Sequence, residues 1–240
     1  MPESAVLRLL SGGAAQGLVA ALAGRFKADT GCDIDGTFGA VGAMRDKLLA
    51  GMPADVVILT AALIEALTAS GQVVAGSAAD LGAVPTCVAV RAGDPGRPVG
   101  DPDALREALL AADGIYFPDP KLATAGIHFA KVLDGLGIRG EVEARLRPFP
   151  NGATAMRAMA AAPERCPIGC TQATEILATP GVVLIGPLPP QFALATVYTV
   201  AICSRADLPG PAGRLAALLS GPEVAALRRQ LGFVSDRRER

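Results

Sequence analysis

A chain of 240 residues with 51% hydrophobic and 19% charged residues is long enough to bury a large core, as one domain or two lobes, and too apolar for disorder. A formal net charge of −1 excludes the basic footprint of a nucleic-acid binder, and the terminal Arg237-Arg-Glu-Arg240 reads as a solvated tail. Mean hydropathy is +0.40, yet the apolar residues are dispersed and no run approaches the roughly 18 residues of a spanning helix.

Residues 5–10 read as a short apolar strand, 16–30 carry apolar residues at helical spacing, 32–38 alternate as a strand, and 41–50 return to the helical period. A buried strand over 55–60 and a helix over 61–70 follow, ending at Gly71. Short buried strands joined by helical crossovers predict a largely parallel, covered sheet. A second α/β series begins with a strand over 84–91, the loop 93–98, and a helix over 102–112 that Asp101 is placed to cap. It continues as strand 114–117, helix 125–136, strand 146–149, helix 154–161, and strands 168–171 and 182–185. After the loop 187–190, residues 192–204 alternate as a strand leading away, and helices 211–220 and 222–231 are expected to pack back on the first series.

Small residues crowd just before several of these helices, in Ser11-Gly-Gly-Ala-Ala-Gln-Gly17, Phe38-Gly-Ala-Val-Gly-Ala-Met44 and Asn151-Gly-Ala-Thr-Ala-Met156. The first N–H groups of a helix lack intrahelical partners and carry the positive end of its dipole, so such starts bind an anion without a cationic side chain. Ser11, Gly12 and Gly13, then Val41 and Gly42, then Asn151 are the candidates these motifs supply. Neutral polar groups at Thr171, Gln172 and Thr174 suit a small organic acid. Arg45, one turn into its helix, either reaches a carboxylate or belongs with Asp46 and Lys47 to a charged outer face.

Five scattered cysteines, Cys32, Cys87, Cys166, Cys170 and Cys203, do not form the framework of a small secreted domain and fit free thiols. Cys87 and Cys203 lie in apolar strand-like runs and read as core. With one histidine in the chain, His128, the close pair Cys166 and Cys170 lacks partners for zinc, so no metal site and no cofactor is expected. The first residues show no basic and long apolar stretch of a leader, which implies a cytoplasmic protein as the chain stands, or a periplasmic one whose leader was removed.

In order along the chain, Phe38–Met44, Ala50-Gly-Met-Pro-Ala-Asp-Val-Val-Ile-Leu59, Asp119-Pro-Lys-Leu-Ala-Thr-Ala-Gly-Ile127, Ser220-Gly-Pro-Glu-Val-Ala225 and Gly232-Phe233 resemble the molybdate-binding proteins of ABC transporters. The resemblance covers nearly the whole chain. It implies an α/β, two-lobed type II periplasmic-binding-protein fold with parallel-rich sheets, helices on both faces, and a ligand cleft between lobes. The lobes implied are residues 1–84 plus 195–240, and 85–194, closing on a small anionic ligand by hinge motion. It also implies a monomer that serves an ABC-transporter membrane component.

Proteins of that family hold the oxyanion with hydroxyls and N–H groups from helix-opening loops, plus a tyrosine after a late strand. In this chain the expected serines fall at Ala14 and Val41 and the tyrosine near Gln172, so three side-chain donors are replaced. Backbone donors remain at Thr124 and Ala125 in the third loop and at Gly152 and Ala153 in the fourth. Each hydrogen bond to an ion is worth about 1.5–3 kcal/mol, so losing three weakens tetrahedral-oxyanion binding by several powers of ten. A small organic acid is thus the competing ligand. Relatives of the family include the aconitate isomerases, which makes a tricarboxylate isomerase the alternative function. Its acid–base candidates are His128, Glu175 and Cys170, of which His128 and Glu175 also read as ordinary helix-face residues, and no nucleophile, base and orienter constellation marks a catalytic residue.

Overall fold

The computed structural model describes residues 5–234, which leaves the basic tail 237–240 outside the described residues. In chain order the first elements are β1 (Val6–Gly12), α1 (Gln16–Thr30), β2 (Asp33–Gly39), α2 (Val41–Leu49), β3 (Val56–Thr60), α3 (Ala61–Ala69) and β4 (Ala79–Arg91). There follow α4 (Pro102–Leu110), β5 (Gly114–Pro118), α5 (Thr124–Gly135), α6 (Arg139–Val142), β6 (Leu146–Phe149) and α7 (Gly152–Ala160). The chain ends with β7 (Pro167–Gln172), α8 (Ala173–Leu177), β8 (Val182–Pro187), β9 (Ala195–Ile202), α9 (Pro209–Ser220) and α10 (Ala225–Gln230). It divides into two compact units, one running to Ala83 and resuming at Val197, the other Val84–Thr196. The chain therefore changes unit inside β4 and again inside β9.

In the first unit β1 lies between β2 and β3, parallel to both, and β3 pairs antiparallel with β9. Val56, Val57, Ile58 and Leu59 of β3 are fully buried, as expected of a central strand covered on both faces. Leu18, Leu22 and Phe26 of α1 recur at helical spacing on its buried side, and α1 packs on α9. Gly31 ends α1 in the left-handed conformation at φ 73°, where a side chain would be strained. Asp55, buried just before β3, accepts from backbone N–H groups of Arg8 at 2.8 Å and Leu208 at 2.9 Å, so two main-chain donors satisfy its carboxyl oxygens.

In the second unit β5 runs parallel to β6 and β7, while β4 pairs antiparallel with β7 and with β8. Leu105 and Leu109 of α4, Ile115 and Phe117 of β5, and Phe129 and Leu133 of α5 form its core. Phe117 and Phe129 meet in a tilted arrangement with ring centroids 5.4 Å apart, the geometry that aromatic quadrupoles favour. Asp101 caps α4 as expected, its Oδ1 accepting from Ala104 N at 2.9 Å ahead of Pro102 in the first turn. Cys87 and Cys203 are core, and none of the five cysteines is in a disulfide.

The structure departs from the sequence reading where local signals are weak. β4 starts at Ala79, five residues before the expected start at 84, although Asp80 and Gly82 are poor strand formers. Gly82 stands at φ +130°, and Ala83 bridges to Val234, so tertiary pairing outweighs propensity there. The expected helix 222–231 is a 3-10 turn over Pro222–Val224 followed by α10. The short α6 and α8, of 4 and 5 residues, span too little chain for helical periodicity to show. Among the described residues no helix is long and apolar enough to cross a membrane.

Candidate functional site

Parallel strands of an α/β sheet deliver their following loops to one end, where ligands of such folds bind. In the first unit β1 and β2 end in register at Gly12 and Gly39, and α2 opens two residues later at Val41. A Cβ at Gly12 would stand 2.8 Å from Val41 Cγ1 and 3.0 Å from Tyr198 Cε1, so glycine is what lets the end of β1 approach the start of α2. Gly13 and Ala14 form a 3-10 turn ahead of α1, with Ala14 buried. Ala15 and Ala40, the N-caps of α1 and α2, offer no side-chain cap, and Gly42 sits in the uncapped first turn of α2. Ser11 is fully buried and its hydroxyl donates to the Gly12 carbonyl at 2.9 Å. At the positions where serines are expected, Ala14 and Val41 are both buried and apolar.

In the second unit β5, β6 and β7 deliver α5, α7 and α8. The turn between β5 and α5 is shaped by Asp119, whose Oδ1 accepts from Lys121 N at 2.6 Å and Leu122 N at 2.9 Å. α5 then opens at Thr124 with Ala123 as an N-cap that provides no side chain, and Ala125 is buried in its first turn. The start of α7 is built differently. Asn151 Oδ1 accepts from Thr154 N at 2.9 Å and from Thr154 Oγ1 at 2.9 Å. Replacing Asn151 with Ala is expected to cost about 1 kcal/mol, read as a lower midpoint in urea unfolding.

The remaining donors of α7 meet a carboxyl group of the protein itself. Glu175 Oε2 accepts from Thr171 Oγ1 at 2.6 Å, and backbone hydrogen bonds from Ala153, Gln172 and Gly152 also reach this carboxyl. A Cβ on Gly152 would collide with both Glu175 Oε2 and Thr171 Oγ1, so the glycine is the floor of this contact. Burial is the largest influence on Glu175 and raises its pKa from 4.5, while the hydrogen bonds from Thr171 and the three backbone groups pull the other way. Glu175 is buried, not at the helix surface as the sequence suggested, because α8 is a single short helix whose first turn faces α7. Asn151, Gly152, Ala153 and Thr171 are thus brought together around Glu175.

Gln172 is buried at the end of β7, directly opposite Thr86 of β4, and its Nε2 lies 3.4 Å from Thr196 Oγ1. Thr86 and Thr196, which the sequence did not single out, are the neighbours of this candidate residue. The available signal was a polar residue inside an otherwise apolar strand, Val84-Pro-Thr-Cys-Val88. Arg45 holds Asp46 Oδ1 with Nε at 2.9 Å and Nη2 at 2.7 Å, which places it on the charged face of α2. His128 Nε2 is 2.7 Å from the Phe192 carbonyl, which requires the proton on Nε2. Cys170 is fully enclosed, and burial drives its thiol pKa well above the usual value. Among the described residues no group of three or more His, Cys, Asp or Glu could hold a metal ion.

Mixed sheets with helix starts gathered at the ends of parallel strands define the periplasmic-binding-protein fold. The chain matches the bacterial extracellular solute-binding protein family over residues 7–234 and belongs to that family. Its fold resembles the periplasmic molybdate-binding protein of Azotobacter vinelandii, with a TM-score of 0.78 at 20% identity over 95% of this chain and 98% of that one. The sulfate-binding protein SubI of Mycobacterium tuberculosis superimposes with a TM-score of 0.74 at 20% identity, over 98% of this chain and 88% of that one. In sequence the chain is 29% identical to an aconitate isomerase of Pseudomonas sp over 230 residues, 91% of this chain and 84% of that protein.

Proposed function

We propose that this solute-binding protein takes a small anion, either a molybdate- or tungstate-type oxyanion or a small organic acid, and presents it to the membrane component of an ABC transporter. The observation that carries this reading is that the helix starts at Val41 in the first unit and at Thr124 in the second each follow a strand end and have no side-chain cap. Such starts offer N–H groups and the positive end of a helix dipole to an anion. The named molybdate- and sulfate-binding neighbours support an anionic ligand. A thermal-shift series with molybdate, tungstate, sulfate and a panel of di- and tricarboxylates tests it. A ligand at 100 times its Kd adds about 2.7 kcal/mol of stability, and no shift with any of them would sink the proposal.

A second reading is an isomerase of a small tricarboxylate, supported by the aconitate isomerase relative and by one observation. Of the three acid–base candidates, His128 is bound to a carbonyl and Cys170 is an enclosed thiol, whereas Glu175 sits beside Thr171 and Gln172 at the strand ends. A carboxyl whose pKa is raised by burial is suited to moving a proton along an allylic acid. Incubation with cis-aconitate, followed by proton NMR, decides the matter. Turnover that disappears in Glu175→Gln supports the isomerase, and stabilisation without product supports the binding protein.

A further inference from the structure

The end of β7 carries more polar groups than folding requires. Among the described residues four buried side-chain atoms have no hydrogen-bond partner, and three of them, Thr86 Oγ1, Gln172 Oε1 and Thr174 Oγ1, belong to this one neighbourhood. The fourth, Asp94 Oδ2, belongs to an acid already paired with Arg91 at 3.0 Å. Thr86, Gln172 and Thr174 are 1%, 2% and 6% exposed, so none of them is solvated from its own surface. Thr86 and Gln172 are directly opposed residues of antiparallel strands, which puts their side chains on one face of the sheet, and Thr174 follows in the first turn of α8. A buried hydroxyl without a partner is costly, and valine fills the same volume as threonine at no such cost. Folding alone therefore does not account for two threonines and a glutamine left in this condition.

Resting on the reading of a small-anion binder, we infer that Thr86, Gln172 and Thr174 form the subsite for a carboxylate group, and that the ligand is a small organic carboxylic acid in preference to a tetrahedral oxyanion. The Gln172 amide can turn by half a revolution, accept from the Thr196 hydroxyl through its oxygen, and present its N–H2 group instead. Two hydroxyls and an amide then offer neutral donors suited to the two oxygens of a carboxylate, which carries one charge. A tetrahedral ion has four oxygens to satisfy, and the further donors that would complete its shell are missing. The donors at the start of α7 are occupied by Glu175, an acid that repels a second anion whenever it ionises, and the hydroxyls expected at residues 14 and 41 are replaced by buried apolar side chains.

Isothermal titration of the whole protein with citrate, tricarballylate, succinate, molybdate and sulfate tests the inference, together with the variants Gln172→Leu and Thr86→Val. The expected result is that at least one carboxylate binds tenfold or more tighter than both inorganic ions, and that each variant weakens it tenfold or more. Without any added anion, Gln172→Leu should melt roughly 2–4 °C higher, because it removes a buried amide that has one end unpaired in either orientation. Thr86→Val, an isosteric change, carries the test if the glutamine variant folds badly. Molybdate or sulfate binding tightest would overturn this inference and leave the small-anion reading standing. Equal carboxylate affinity in wild type and variants would place the carboxylate elsewhere and also overturn it. No binding by any of the five would remove the small-anion reading itself, and this inference with it.

Discussion

Glu175→Ala should destabilise the protein by about 3 kcal/mol or more, seen as a lower midpoint in urea with an unchanged m-value. The residue is buried, and its removal leaves the Thr171 hydroxyl and the N–H groups of Gly152 and Ala153 without their acceptor. Each orphaned buried donor costs about 1–3 kcal/mol, and the missing side chain adds a cavity beneath α7. Glu175→Gln keeps the shape and an acceptor oxygen, so its loss should be smaller and its pH response different. Burial raises the Glu175 pKa in the folded chain above 4.5, so the folded state holds this proton more tightly than the unfolded one. Its stabilising contribution is complete below pH 4.5 and is lost as the pH rises through the folded-state value. Wild type should therefore lose stability relative to Glu175→Gln over that rise, and parallel pH profiles of the two would show that Glu175 is not held protonated by folding.

The contrast between Glu175 and the rest of the site shows what the sequence could disclose. Glycines and alanines pointed to the helix starts near Gly12, Val41 and Gly152 because close backbone approach depends on a missing side chain, which is a property of the residue alone, whereas Thr124 was reached only through the family resemblance. The α/β order and most element bounds were legible for the same reason, since periodicity is local. Glu175 was misjudged because its burial depends on α8 facing α7, a contact between segments that no spacing encodes. Thr86 escaped notice because its importance lies in standing opposite Gln172, and register between β4 and β7 is a property of the folded sheet. The first residues of β4 were missed on similar grounds, with Ala83 drawn into pairing by Val234 far along the chain.

Gly126→Ala should cost at least about 3 kcal/mol and lower Tm by roughly 6–12 °C in differential scanning calorimetry. A Cβ there would run into the carbonyl oxygens of Pro118 and Asp119, and these are backbone atoms at the end of β5 that no rotamer change can move. The two carbonyls are held in place from both sides. Pro118 lies in the parallel register of β5 with β6, opposite Phe149, and the Asp119 carbonyl accepts from Ala123 N at 3.1 Å in the turn. Relief must come from α5 itself, whose Phe129, Val132 and Leu133 are buried in the core, so the helix cannot slide without opening a void. Any shift that does occur carries the N–H groups of Thr124 and Ala125 away from the end of β5. Ligand affinity should then fall together with stability, whereas at a position outside the site the two would separate. A variant that melts as wild type would show that the turn before α5 yields, and that the third helix start is not set by this glycine.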